Sequence, residues 1–323
     1  MDNCDNLSSF VSNQKDRYAD IIRKFLEDIS FELPNFDYDV STVTDRVERH
    51  FIMQNFETEF IAKVRPIIRW SAAYAVATYP FVNRQTQETI GIYTSYAIII
   101  DDFPNDYRQD LKLFNSRVLR GAMQSNKVLQ CFVEFLVNAS PSFGQFGGDM
   151  IIKSSLEFVS ACYFEVEEGQ RLHFTSNAPA FPRYVRLKTG VSETYSFFAF
   201  PEYMLPEDLY LKHYLPAIPD LTDFFDYVND IFSFYKEFTT IGDDRNFVLN
   251  SAQTHSMDIF QVLQNLCSEA REIIHRLCVV SNVQVQSNMK QLVHGYIMYH
   301  LSQSRYRLAE LGIPEAAEAS RRL

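Results

Sequence analysis

Apolar positions recur at three- and four-residue spacings along most of the chain, and no convincing run alternates apolar and polar residues as a strand would. The periodicity predicts helices over 18–29, 60–78, 85–101, 107–122, 126–137, 149–168, 182–199, 206–214, 218–239, 256–280 and 284–311. Pro34 closes the first of these. The segment from Pro141 to Gly148 is the richest in Gly and Pro between them. There is no internal repeat and no long low-complexity linker. The expectation is an all-α chain of about ten helices forming one domain over 1–323, with 1–35 a partly ordered N-terminal segment.

Two of these helices run their apolar faces into polar clusters. In 85–101, Ile90, Tyr93, Thr94, Ala97, Ile98 and Asp101 share one helical face, so an apolar stripe leads into Asp101-Asp102-Phe103-Pro104-Asn105-Asp106. Pro104 should end or kink that helix. Were the helix to continue, Asp101 and Asn105 would share one face, and Asp102 and Asp106 a neighbouring one. Clustered carboxylates repel each other and, at a helix C-terminus, oppose the macrodipole. Mg²⁺ is a natural counter-charge, because it takes a few carboxylates together with waters and phosphate oxygens. The plain alternative is a solvated acidic turn.

The second cluster lies in 218–239. Asn229, Ser233 and Glu237 recur every four residues, within an arc of roughly 80° on a helix. Phe225, Val228, Phe232 and Lys236 fall at the same helical spacings, which embeds the polar triplet in an apolar stripe. Partly buried oxygens need partners. An amide oxygen, a hydroxyl and a carboxylate spaced in this way can chelate one hard cation. Three unrelated polar residues are the competing explanation.

Composition narrows the classes. Glycine is scarce, with 10 residues, which argues against a loop-rich all-β chain and against Gly-rich phosphate loops. Aromatics are abundant, with 28 Phe and 18 Tyr; they serve as core filler or as the walls of a cation-stabilising cavity. Trp70, Tyr93, Phe158 and Phe197 lie near the polar clusters and are candidates for such walls. The net charge of −11 disfavours nucleic acid or an anionic membrane as a partner for the whole surface. An anionic substrate would then need a local basic patch or metal ions. Five irregularly spaced cysteines give neither a disulfide framework nor a zinc site. The polar, acidic first residues do not resemble a signal peptide, and no apolar run is long enough to span a membrane. A cytoplasmic location is expected.

Together these segments resemble the class I terpene synthases, most closely the trichodiene synthase-like sesquiterpene cyclases. The family's aspartate-rich motif matches Asp101 to Asp106. Its second metal motif matches Asn229, Ser233 and Glu237, within Asn229-Asp230-Ile231-Phe232-Ser233-Phe234-Tyr235-Lys236-Glu237. Its diphosphate-binding Arg-Tyr pair matches Arg305-Tyr306, which follows His294-Gly295-Tyr296-Ile297-Met298-Tyr299-His300 on a late helix. Arg186, 43 residues before Asn229, resembles the family's diphosphate-sensing arginine, with Arg183 and Lys188 as neighbouring competitors. Gly190 falls at the helix break implicated in triggering ionisation. Asn105 departs from the pattern, standing where many relatives have a further Asp. The chain also ends sooner after Arg305-Tyr306 than expected for a trichodiene synthase, and a different product is expected.

The resemblance implies a helical bundle around a central active-site cavity and three Mg²⁺ ions. Asp101, Asp102 and Asp106 would hold two of the ions, and Asn229, Ser233 and Glu237 the third. Arg186, Lys236, Arg305, Tyr306 and Gly190 would meet the substrate diphosphate, with Asp101, Arg186, Arg305 and Tyr306 carrying the catalysis. The implied reaction is ionisation of a prenyl diphosphate, farnesyl diphosphate by family preference, then cyclisation to a sesquiterpene hydrocarbon or alcohol and release of inorganic diphosphate. The alternatives are a linear alcohol such as nerolidol or linalool, a chain-elongating prenyltransferase and a non-catalytic helical binding protein. A second Asp-rich motif would mark the prenyltransferase, and the Asn/Ser/Glu pattern stands in its place. A homodimer is compatible with the resemblance.

Overall fold

The computed structural model describes residues 2–36, 38–240 and 246–323. The described residues form fifteen α-helices and no strand. In chain order these are α1 (Asp2–Asp28), α2 (Val40–Met53), α3 (Thr58–Thr78), α4 (Arg84–Asp102), α5 (Pro104–Leu119), α6 (Lys127–Ala139), α7 (Gln145–Glu168) and α8 (Phe181–Thr189). They continue as α9 (Ser192–Phe197), α10 (Glu207–Tyr214), α11 (Ile218–Thr239), α12 (Phe247–His255), α13 (Ile259–Leu277), α14 (Val283–Ser302) and α15 (Pro314–Arg322). No described helix is long and apolar enough to cross a membrane.

Local chemistry explains many of the boundaries. Asn83, Asn126, Asp258 and Asn282 each accept a backbone N–H from the first turn of α4, α6, α13 and α14 respectively. The start of α7 is capped from a distance. The Glu207 carboxylate accepts the N–H groups of Gln145, Phe146 and Gly147 at 2.7–3.0 Å. Helices α3, α4, α11 and α14 form the walls of the bundle. Tyr74, Tyr93, Phe198, Phe225, Tyr296 and Tyr299 pack edge-on or tilted between them. The closest crossing is made by Gly295 on α14, where a Cβ would lie 1.9 Å from the Ala77 carbonyl oxygen of α3.

The elements differ from the periodic pattern at several points. Helix α4 ends at Asp102 and α5 starts at Pro104, so the common faces of Asp101 with Asn105 and of Asp102 with Asp106 do not form. Proline disfavours the helical conformation at the residue before it, and Phe103 sits at φ −125°, ψ 40°. The stretch 182–199 is two helices, parted at Gly190 and Val191, with Val191 in the left-handed region at φ 35°. Helix α14 stops at Ser302, so Arg305 and Tyr306 ride on a 3₁₀ turn, Ser304–Tyr306, and not on a continuous helix to 311. There the Tyr299 carbonyl accepts both the Ser302 hydroxyl at 2.7 Å and the Gln303 N–H at 3.2 Å, and Gln303 turns extended. The pattern did not mark α2, α12 or α15.

Candidate active site

The bundle encloses a cavity of about 470 Å³. Part of its lining is aromatic, formed by Tyr74, Phe158, Tyr195, Phe225, Tyr296 and Tyr299. The charged and metal-binding types of side chain in the lining come from five places. Asp101 and Asp102 stand at the end of α4, Glu165 on α7 and Arg186 on α8. Asn229, Asp230, Ser233, Lys236 and Glu237 line one face of α11, and Arg305 and Tyr306 project from the turn after α14.

Helix α11 presents its triplet without interruption, and the 3.6-residue repeat alone brings Asn229, Ser233 and Glu237 to the cavity. The Ser233 hydroxyl is buried and has no hydrogen-bond partner. A buried hydroxyl without a partner costs free energy that a cation or ligand at that point would recover. The Asn229 side-chain oxygen accepts from Arg186 Nη2 at 3.3 Å.

A buried acid pair on the same helix, Asp226 and Asp230, fixes Arg186. Its Nε donates to both Asp230 oxygens at 2.8 and 3.0 Å, and Nη1 lies 3.2 Å from Asp226 Oδ1. Burial alone would weaken the guanidinium's hold on its proton, but Asp226 and Asp230 outweigh that and raise it. Asp226 also holds Arg183 at 2.8 Å and accepts from the Ser192 hydroxyl at the start of α9. Gly190 leaves room for this cluster, since a Cβ there would lie 2.4 Å from Asp226 Oδ1 and 2.5 Å from Arg186 Nη1. Neither Arg183 nor Lys188 lines the cavity: Arg183 pairs with Asp223 and Asp226, and Lys188 with Glu157.

Asp101 and Glu165 line the same cavity. The surrounding protein excludes enough water to push Asp101 up to about 6, and the like charge of Asp102 adds to it. Glu165 is pushed up to about 7, first by the same desolvation and then by Asp101. Arg305 closes a fork on Asp102 at 2.9 and 3.1 Å, with its guanidinium 5.2 Å from the Trp70 ring centroid. Burial raises the Tyr306 phenol to about 12.

Asp106 does not join this group. It stands exposed in the first turn of α5, 3.3 Å from Lys63. Of the aromatic candidates only Phe158 lines the cavity. Tyr93 is buried with its hydroxyl on Ser155, Phe197 packs on Phe146, and Trp70 backs Arg305. Sequence reasoning missed Glu165, Asp226 and Asp230 as members of the site, together with His300 and most of the aromatic wall. Asp230 stands inside the recognised motif and was the most accessible of these, whereas Glu165 has no motif around it.

An all-helical bundle whose cavity carries basic groups, oxygen donors and aromatic rings is the arrangement of the class I terpene synthases, and its relatives place the chain among them. Residues 13–321 match the family model described as Trichodiene synthase (TRI5), and the chain belongs to that family. It is 40% identical to an (E)-beta farnesene synthase of Metarhizium brunneum, covering 94% of this chain and 92% of that protein. It is 23% identical to a trichodiene synthase of Paramyrothecium roridum, over 89% of this chain and 77% of that one. In fold it matches the linalool/nerolidol synthase of Streptomyces clavuligerus with a TM-score of 0.62 at 12% identity, over 84% of this chain and 99% of that one.

Proposed function

We propose that this enzyme is a sesquiterpene synthase that ionises farnesyl diphosphate with Mg²⁺ and resolves the resulting cation inside the aromatic chamber, releasing diphosphate. The observation that carries the reading is a single cavity lined both by charge-binding groups and by aromatic side chains. The donor set suits Mg²⁺: it is all oxygen, it includes the unpartnered Ser233 hydroxyl, and it includes Asp101, whose proton affinity is raised in the absence of a cation. Asp101 and Asp102 would hold Mg²⁺ on one side, and Asn229, Ser233 and Glu237 on the other. When bound, Mg²⁺ neutralises diphosphate oxygens and makes the group a better leaving group.

The protein's own cations Arg186, Lys236 and Arg305 complete that neutralisation, and with the neutral Tyr306 hydroxyl they line the cavity and would bind diphosphate oxygens. The Arg305 fork already grips one oxyanion, Asp102, so diphosphate binding exchanges one anionic partner for another. The allylic cation left by departure of diphosphate would then face Tyr74, Phe225, Tyr296 and their neighbours, whose ring faces stabilise positive charge and exclude water. The volume of about 470 Å³ lies within the usual range for a buried small ligand, roughly 300–1,000 Å³.

A second reading concerns the fate of the cation. The 40% identical relative is named for an acyclic alkene, which favours proton loss before any ring closes. Both readings begin with the same C–O cleavage and are separated by their products. Purified enzyme is incubated with farnesyl or geranyl diphosphate, with Mg²⁺ or with EDTA, and extracts are analysed by gas chromatography–mass spectrometry. The expected result is a Mg²⁺-dependent fifteen-carbon hydrocarbon or alcohol. Cyclic products support the cascade, and farnesene alone supports early proton loss. No turnover of farnesyl diphosphate overturns the sesquiterpene assignment.

A further inference from the structure

His300 stands behind Asn229 in the centre of the bundle, fully buried. Its ring stacks on Phe232 at 5.8 Å and lies 4.5 Å from the Tyr306 ring. It therefore sits between the oxygen triplet of α11 and the Arg-Tyr turn. It lines the cavity as a neutral ring, because burial lowers its proton affinity.

Its hydrogen bonds fix more than its own position. His300 Nδ1 lies 2.9 Å from the Tyr296 carbonyl oxygen, one turn back on α14. A carbonyl only accepts, so Nδ1 carries the proton and Nε2 is left as an acceptor. Nε2 faces Asn229 Nδ2 at 3.3 Å. That contact works only if the amide nitrogen points at the ring. On the opposite side of the same amide, Arg186 Nη2 lies 3.3 Å from Oδ1, and a guanidinium only donates. Two independent neighbours thus dictate one orientation. The flipped amide would set an oxygen against the Nε2 lone pair and an NH₂ against the guanidinium.

We propose that His300 is a positioning residue: as the Nδ1–H tautomer it holds the Asn229 amide nitrogen and so keeps the amide oxygen facing the cavity for Mg²⁺. The tautomer is set by the helix itself, through the Tyr296 carbonyl, and the amide orientation follows from it. This rests on Asn229 being a Mg²⁺ ligand, as in the proposed function.

The test measures Mg²⁺ binding in the presence of inorganic diphosphate by calorimetry, with the melting temperature in EDTA recorded for every variant. Replacing a group that orients a metal ligand typically costs about 10–100-fold in metal affinity, and that loss is expected of His300→Phe, which keeps an aromatic ring but no acceptor. His300→Gln, whose side-chain oxygen can accept from Asn229, should recover much of the affinity. In an Asn229→Asp background either carboxylate oxygen can face the cavity, so His300→Phe should cost little there. Equal losses in both backgrounds overturn the proposal, as does unchanged Mg²⁺ affinity in His300→Phe. Asn229→Leu separates the two readings: if it leaves Mg²⁺ affinity intact, the ligand assignment and this inference fall together. If it weakens binding while His300→Phe does not, only the inference falls. Nitrogen-15 spectra of the histidine-labelled wild-type enzyme give a readout independent of folding in the variants. They should show His300 with Nδ1 protonated and Nε2 bare, and the opposite tautomer overturns the proposal.

Discussion

The two acidic ends of the cavity are built in opposite ways. On α11 the donors Asn229, Ser233 and Glu237 sit on one unbroken, deeply packed helix, and two of the three are neutral. At the α4–α5 junction the donors are carboxylates, they stand where a helix stops, and they lie at the negative end of its macrodipole. One set is held in place by backbone repeat and core packing. The other is held by an ion pair, Asp102 on Arg305. A ligand site can therefore be rigid on one side and charge-loaded on the other. The rigid side supplies geometry, and the loaded side supplies the electrostatic incentive to take up cations.

If both sides hold Mg²⁺, removing one oxygen anion from either should have the largest effect. Glu237→Gln and Asp101→Asn are each expected to lower kcat/KM for farnesyl diphosphate by about 10²–10³-fold, the scale seen when an aligned electrostatic group is removed from an active site. Steady-state kinetics over a Mg²⁺ series checks this. The comparison predicts a difference in kind as well. The loss in Asp101→Asn should carry a lower melting-temperature cost in EDTA than Glu237→Gln, because Asp101 is a destabilising charge when no cation is bound.

Gly190→Ala comes next. Its new Cβ would press on Asp226 of α11 and on Arg186 of α8, without touching any of the proposed Mg²⁺ ligands. Displacing a binding group by about 1 Å costs on the order of 10²-fold in rate, and a loss up to that size is expected with Mg²⁺ affinity little changed. Wild-type kinetics in this variant would mean that Arg186 does not need its present seat.

The charge-loaded side should also reveal itself in the pH dependence of stability. Asp101 is raised from 3.8 to about 6 and Glu165 from 4.5 to about 7, both chiefly by desolvation. Between these limits the folded, metal-free protein binds more protons than the unfolded chain, so these two groups make it less stable as pH rises. Melting temperature measured in EDTA should therefore carry a falling contribution from about pH 4 to 7. Asp101→Asn with Glu165→Gln should flatten that slope. An unchanged slope in the double variant would place the unfavourable charge elsewhere.

The same contrast explains what could be read from the chain before its structure. The α11 triplet was legible because every residue between Asn229 and Glu237 is helical, so spacing translates directly into a shared face. The fold class was legible for the same reason, from long periodic segments. Spacing failed across breaks. Pro104 was recognised as a stop, but the faces drawn through it for Asn105 and Asp106 assumed a helix that ends two residues earlier. The turn carrying Arg305 begins where a serine hydroxyl shares a backbone carbonyl with the helix's last N–H, which apolar periodicity does not register. Glu165 and His300 are joined to the site only by tertiary contacts, His300 through a tautomer, so no local pattern points to either.

The smallest effect is expected at Asp106, and it bears most directly on the comparison. Asp106 lies in the first turn of α5, where its charge complements the positive helix end, and its side chain is 57% exposed beside Lys63. Exposed pairs of this kind contribute about 0–1 kcal/mol. Asp106→Asn should thus leave both stability and Mg²⁺-dependent turnover close to wild type, while Asp101→Asn, five residues earlier in the same motif, should not. Parallel Mg²⁺ titrations of the two variants make the comparison. If Asp106→Asn loses as much as Asp101→Asn, the start of α5 must swing toward the cavity when substrate binds, breaking the Lys63 pair, and the two halves of the motif act as one. If it does not, the acidic segment serves two separate ends, Asp101 and Asp102 at the cavity and Asp106 at the start of a helix.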